Sequence, residues 1–204
     1  MKVSEIQHVL NQLFPEETAL DWDNVGLQIG SSKDPVEHIL LTLDVTLNTV
    51  KEAIQHNVDM IISHHPLIFH PLKEIDFDLE YGKIIRLLIQ HNISLYVLHT
   101  NFDVAEIGMN RILGEELKLK DIHPLPSSTD EIAVGVIGNL SKNMNIGQFI
   151  DFVKDQYEIP TLQLIGDPNK EISVVAISGG SGSVEITNAI TAGADVLITG
   201  DVTY

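Results

Sequence analysis

The chain of 204 residues has no cysteine, which excludes a disulfide framework and any cysteine-ligated zinc or iron–sulfur centre. Cationic side chains are scarce: Lys+Arg 12 stand against Asp+Glu 29, a formal charge of −17. The arginines, Arg86 and Arg111, lie far apart. So acidic a surface repels phosphate backbones and argues against nucleic acid as the main partner. An anionic substrate would need local positive charge, which metal ions can supply. No apolar run approaches the roughly 18 residues of a membrane span, and the opening MKVSEIQHVLNQ has no continuous apolar stretch. The sequence therefore reads as a cytoplasmic soluble protein. Hydrophobic residues make up 44% of it, enough to bury a proper core.

What is present is a regular alternation of strand-like and helix-like segments. Ile6, Val9, Leu10, Leu13 and Phe14 fall at helical spacing after Ser4, with Gln7 as its capping-box partner and Pro15 as the stop. An irregular DWDNVGLQIG segment follows. Strands are expected at His38–Leu43, Val58–Ile62 and Ser94–Leu98, and helices after Asp44 and Thr46, over Leu79–Gln90 and over Ile107–Leu117. The segment DIHPLPSSTDE reads as a linker. It divides the chain into residues 1–124, an α/β domain with the histidine motifs, and residues 125–204, a second α/β half. There the pattern resumes with an apolar run at Ile132–Ile137, a helix over Ile146–Gln156, short strands near Leu162 and at Ile172–Ile177, a helix over Val184–Ala192 and a strand at Val196–Thr199. Such alternation implies crossover connections, hence the α/β class with a largely parallel sheet covered by helices on both faces.

The chemistry concentrates where strands end. In VDMIISHHPLIFH a buried strand runs into His64 and His65, at the carboxyl edge where open α/β sheets hold ligands. Adjacent strand residues point to opposite faces, but Pro66 biases His65 to an extended conformation as the strand ends, so both rings can turn onto one cavity and address two ions. The competing interpretation is a pair of loop histidines bonded to backbone. A second strand ends in HTNFD, carrying His99 and Asp103. Mixed nitrogen and oxygen donors suit Zn, Mn, Fe, Co or Ni better than Mg or Ca. His99 itself is a ligand, a partner to a ligand or a general acid/base. SGGSGS at 178–183 offers either an anion cradle or a tight turn; it matches neither the P-loop nor the dinucleotide fingerprint. DWDNVG is either a loop at the site mouth or a turn pinned by the only tryptophan, and Asp201 either supports the site or sits in a turn. His70 could line the cavity. His8, His38, His56, His91 and His123 read as surface or capping groups.

Taken together, DWDNVGLQIG, SHHPLIF, HTNFDVAEIGMN and SGGSGSVEITNAITAGADVLITGDVTY, in that order along the whole chain, resemble the NIF-three-like family (Ngg-interacting factor three). Its bacterial members are known as GTP cyclohydrolase I type 2 homologues. The resemblance implies layered αβα units with mostly parallel or mixed sheets, in the short form without the inserted middle domain. It further implies two divalent ions per subunit, zinc first with Mn, Fe, Co or Ni as alternatives, in a ring-shaped homohexamer. His64, His65 and Asp103 match the metal ligands. Family members continue beyond the position of Tyr204 into a segment supplying another His and a bridging Glu, so the chain reads as cut at its carboxyl end. The implied reaction is attack of water on guanine C8 of GTP with release of formate; His99 is our candidate for proton transfer in it, because an imidazole beside a metal-bound water exchanges protons near pH 7. A phosphoester hydrolase acting on nucleotides and a non-catalytic metal-stabilised scaffold or regulatory binding protein are the alternatives.

Overall fold

The computed structural model describes residues 1–128 and 132–203, so positions 129–131 of the expected linker and Tyr204 of the last motif lie outside the described residues. The chain forms two compact units, Met1–Phe102 and Asp103–Tyr204. The first runs α1 (Val3–Leu13), β1 (Gly26–Ile29), β2 (Ile39–Thr42), α2 (Leu47–Gln55), β3 (Met60–Ser63), α3 (Glu80–Gln90) and β4 (Ser94–Val97). Its sheet has the order β1-β4-β3-β2. Strands β2, β3 and β4 are parallel, as crossovers through α2 and α3 require, and β1 adds antiparallel to β4. Successive strand residues serve opposite faces. Ile61 and Leu95 pack on Val50 and Ala53 of α2 and Ile84 and Leu88 of α3, while Met60 and Tyr96 pack on Val3 and Ile6 of α1. Burial on both faces is why β3 and β4 read as continuous apolar runs, whereas β2, at the edge of the sheet, leaves Ile39 and Leu41 exposed.

A one-turn helix, α4 (Thr100–Asp103), spans the division, and the second unit continues through α5 (Met109–Glu116), β5 (Lys120–Pro124), β6 (Val136–Asn145), α6 (Ile146–Gln156), β7 (Glu171–Ser181), α7 (Ile186–Thr191) and β8 (Val196–Asp201). Here the order is β5-β6-β7-β8. Ile146, Phe149 and Val153 of α6 cover one face with Val175 and Ile177, while Ala189 of α7 covers the other with Ile137 and Ala176. The class is mixed α/β throughout.

Several local expectations change. The second sheet is not largely parallel: only β7 and β8 are, because β5–β6 and β6–β7 pair antiparallel. The start of the expected linker is strand β5, and α5 and β5 pack with β6, so the unit division falls after Phe102 rather than after residue 124. The apolar run at 132–137 enters its strand only at Val136, and no strand forms at Leu162. The irregular DWDNVGLQIG segment ends in β1, which the hydrophobic pattern does not reveal because Gly26 and Gln28 interrupt it. Helix α1 caps at Lys2, whose N–H donates to Glu5 at 2.7 Å, rather than through Ser4 and Gln7. The N–H groups of Val3 and Ser4 instead donate to the carbonyls of Asp34 and Ser32, so tertiary backbone partners replace the side-chain cap.

Candidate metal centre

The carboxyl ends of β2, β3 and β4 supply the site. Pairing continues past the formal end of β3, with the N–H groups of His64 and His65 donating to Thr42 at 3.1 Å and Leu43 at 2.9 Å. The buried Ser63 hydroxyl donates to the His65 carbonyl at 3.0 Å, closing a corner just before Pro66. On the neighbouring strand Leu98 N–H donates to Ser63, and His99 N–H donates to Asn101 Oδ1, whose own amide is anchored on the Phe14 carbonyl. This framework brings one ring nitrogen from each of His64, His65 and His99 within 4.8 Å of the others. The ring centroids stand 5.1, 5.2 and 5.8 Å apart.

Each imidazole is held from behind. His64 Nδ1 donates to the Leu98 carbonyl at 2.9 Å, His65 Nδ1 to Asp44 Oδ1 at 2.8 Å, and His99 Nδ1 to both oxygens of Asp23 at 2.9 Å. Carbonyl and carboxylate oxygens only accept, so the proton belongs on Nδ1 and the lone pair on Nε2 in all three rings. This is the arrangement that orients and strengthens imidazole ligands. Burial pushes the His64 pKa down, against the pull of the Leu98 carbonyl, and the neighbouring His99 and His65 rings lower it further. The neutral form, which ligates metals, is thereby favoured. For Asp23, whose side chain is fully enclosed, burial alone would raise the pKa. Donation from His99, from the Thr100 hydroxyl at 2.6 Å and N–H at 3.1 Å, and from Asn24 N–H overcomes this and holds it at about 2. Three neutral nitrogen donors backed in this way could hold a borderline divalent ion such as zinc.

The DWDNVGLQ segment belongs to the site through its polar side chains. Gln28 receives Ile68 N–H at 2.8 Å and donates to its carbonyl at 2.9 Å, and Asn24 donates to that same carbonyl, so the segment grips the chain just after the paired histidines. The tryptophan does not pin the turn: Trp22 is 57% exposed. Asp23 and Asp44, the carboxylates behind His99 and His65, are the partners that residue patterns missed. Asp44, two residues beyond the last paired residue of β2, Thr42, obeys the same strand-end rule that singled out His64 and was findable by it. Asp23 lies 76 residues from His99 and carried no local signal.

The remaining candidates have local surroundings of their own. Asp103 closes α4 and opens the second unit; it is buried, and its carbonyl receives the Asn110 amide at 3.0 Å. His70 is exposed and packs on Phe69, with ring centroids 4.6 Å apart. In SGGSGS, residues 178–181 extend β7. Gly179 N–H donates to Asn110 Oδ1 at 2.7 Å and Gly182 N–H to Thr199 Oγ1 at 2.8 Å. A Cβ at Gly182 would press on Thr199 and Ser178, so close packing accounts for this glycine. Asp201 ends β8, opposite Ser181.

The model of the family Duf34/NIF3 (NGG1p interacting factor 3) matches residues 1–204. Proteins of Clostridium acetobutylicum and Streptococcus pneumoniae, each named GTP cyclohydrolase 1 type 2 homolog, are 34% and 35% identical, with alignments covering all of this chain and 77% and 78% of theirs. Among solved structures, a Bacillus cereus protein related to NIF3 superposes with a TM-score of 0.92 at 28% identity, over all of this chain and 83% of that one. A Staphylococcus aureus protein gives 0.90 at 32% identity, over all of this chain and 80% of that one.

Proposed function

We propose, since the chain belongs to the Duf34/NIF3 family, that it is a divalent-metal-dependent hydrolase acting on GTP or a related nucleotide. The observation that carries this is the convergence of His64, His65 and His99, each with Nδ1 already engaged. His64 and His65 would hold the metal, joined by Asp103 as the carboxylate that the family resemblance assigns, with two ions per subunit and zinc the first choice. A bound divalent ion supplies Lewis acidity that brings the pKa of a water toward neutrality. His99, with Nδ1 engaged by Asp23, would take up the proton of the attacking water on Nε2. The Asp23 carboxylate keeps the ring in the right tautomer and stabilises the imidazolium that forms. With GTP, addition of water at guanine C8 opens the five-membered ring, and hydrolysis of the resulting formamide releases formate.

Elemental analysis of the isolated protein gives ion identity and stoichiometry, and incubation of metal-loaded protein with GTP should release formate. His99→Gln, with metal content retained, should cut turnover by about 10²–10⁴. GTP left intact overturns the substrate assignment, and turnover of phosphoesters in its place favours the nucleotide phosphoesterase. Unchanged turnover in His99→Gln removes His99 from proton transfer. The same proposal has the chain working as a homohexameric ring; light scattering should return six copies, and a monomer counts against it.

A further inference from the structure

We propose that Trp22, with Phe69 beside it, is a stacking platform for a nucleobase laid next to the three histidines. This deepens the hydrolase proposal and rests on it for the choice of guanine as the base. Trp22 is 57% exposed although its neighbour Asp23 is locked onto His99 and Thr100 and the next residue, Asn24, onto the Ile68 carbonyl. The turn that carries the indole is therefore braced on its carboxyl side. A large ring held wet on a braced turn is an informative exposure, whereas scattered surface leucines are not. The indole stands 5.7 Å from the Phe69 ring, itself 39% exposed, and 6.1 Å edge-on from the His99 ring. It thus offers an aromatic surface within one ring's breadth of the imidazole cluster.

Charge selects which part of a nucleotide this surface recognises. The segments that build the site, residues 20–30, 42–46, 63–72 and 98–103, contain no lysine or arginine, while Asp21, Asp23, Asp44 and Asp103 lie within them. No cationic side chain there attracts phosphate, which is left to the metal ions, so the neutral planar base is what the chain's own side chains hold. Stacking on an aromatic side chain needs no charge and contributes substantially to base binding.

Trp22 is the sole tryptophan, so its fluorescence reports on this position alone. Metal-loaded full-length protein is titrated with guanosine, GMP and ribose 5-phosphate. The expected result is saturable quenching by guanosine and GMP and none by ribose 5-phosphate. In equilibrium dialysis, Trp22→Ala should weaken guanosine binding by roughly ten- to a hundredfold. Trp22→Phe should recover most of it, which separates lost stacking from a folding defect. Wild-type protein that fails to bind guanosine, or Trp22→Ala that binds it as tightly as wild type, overturns the proposal. Trp22-dependent guanosine binding without GTP turnover removes the hydrolase proposal and leaves this one. GTP turnover with an unchanged KM in Trp22→Ala removes this one alone.

Discussion

Asp23 is enclosed yet ionised because donors surround it: His99 Nδ1, the Thr100 hydroxyl and N–H, and Asn24 N–H. Its pKa falls from 3.8 to about 2 on folding. A depressed carboxylate contributes stability that is present above its unfolded pKa and lost as pH falls through the folded value, here amounting to about 2 kcal/mol. Urea denaturation should therefore show wild type losing this increment between about pH 4 and about pH 2, and Asp23→Asn showing a shallower loss over that interval. A variant with the same acid slope as wild type would contradict the placement of the carboxylate. Asp44 does a similar job for His65 but is 58% exposed, so water screens it. Asp44→Ala should weaken zinc binding by about tenfold in chelator competition, the low end of what supporting carboxylates contribute to metal sites.

At the scale of elements, one turn recurs where helices stop. Asn57, Asn92, Lys118, Glu158 and Gly193 take left-handed φ values of 51°, 54°, 55°, 52° and 79°. The following apolar residue then closes a bond back to the helix: Val58 to Ala53, Ile93 to Leu88, Leu119 to Gly114, Ile159 to Lys154 and Ala194 to Ala189. The turn buries Val58, Ile93 and Leu119 and packs Ala194 against the core of the second unit, while Ile159 stays exposed. Gly193 has open space where a Cβ would go, so Gly193→Ala tests backbone conformation alone. It should destabilise by about 1 kcal/mol and lower Tm by roughly 2–4 °C. Strand starts have a shared device too. Asp59, just before β3, receives the N–H groups of Glu37 and His38, and Asp195, just before β8, receives those of Ser173 and Val174. Each carboxylate ties its own strand to the parallel neighbour, and Asp195→Asn should cost about 1 kcal/mol by denaturant titration.

For the molecule as a whole, ligand linkage is the most direct check on the imidazole cluster. Zinc that binds only the folded state at a hundredfold excess over its Kd adds about 2.7 kcal/mol, which for a chain of this length is a rise in Tm of roughly 5–10 °C. Calorimetry should show that rise with zinc, its reversal by chelator, and its absence in the double variant His64→Ala, His65→Ala. A zinc-induced shift that survives both substitutions would move the metal site elsewhere.

Periodicity and strand-end position are local properties, and they made much of this protein legible in the residues alone. The apolar run into His64 and His65, the next run into His99 and the helix at Ile146–Gln156 all stand where hydrophobic spacing puts them. Long-range pairing is not local. β1 joins the first sheet only by lying against β4, and β5 becomes a strand only by pairing with β6, partners that no spacing rule specifies. The tautomers of the three imidazoles were beyond the residue pattern for the same reason. Asp23 reaches His99 across 76 residues and Leu98 reaches His64 across 34. Residue chemistry thus determined which groups could bind a metal, and tertiary contacts decided which nitrogen of each ring is left to do so.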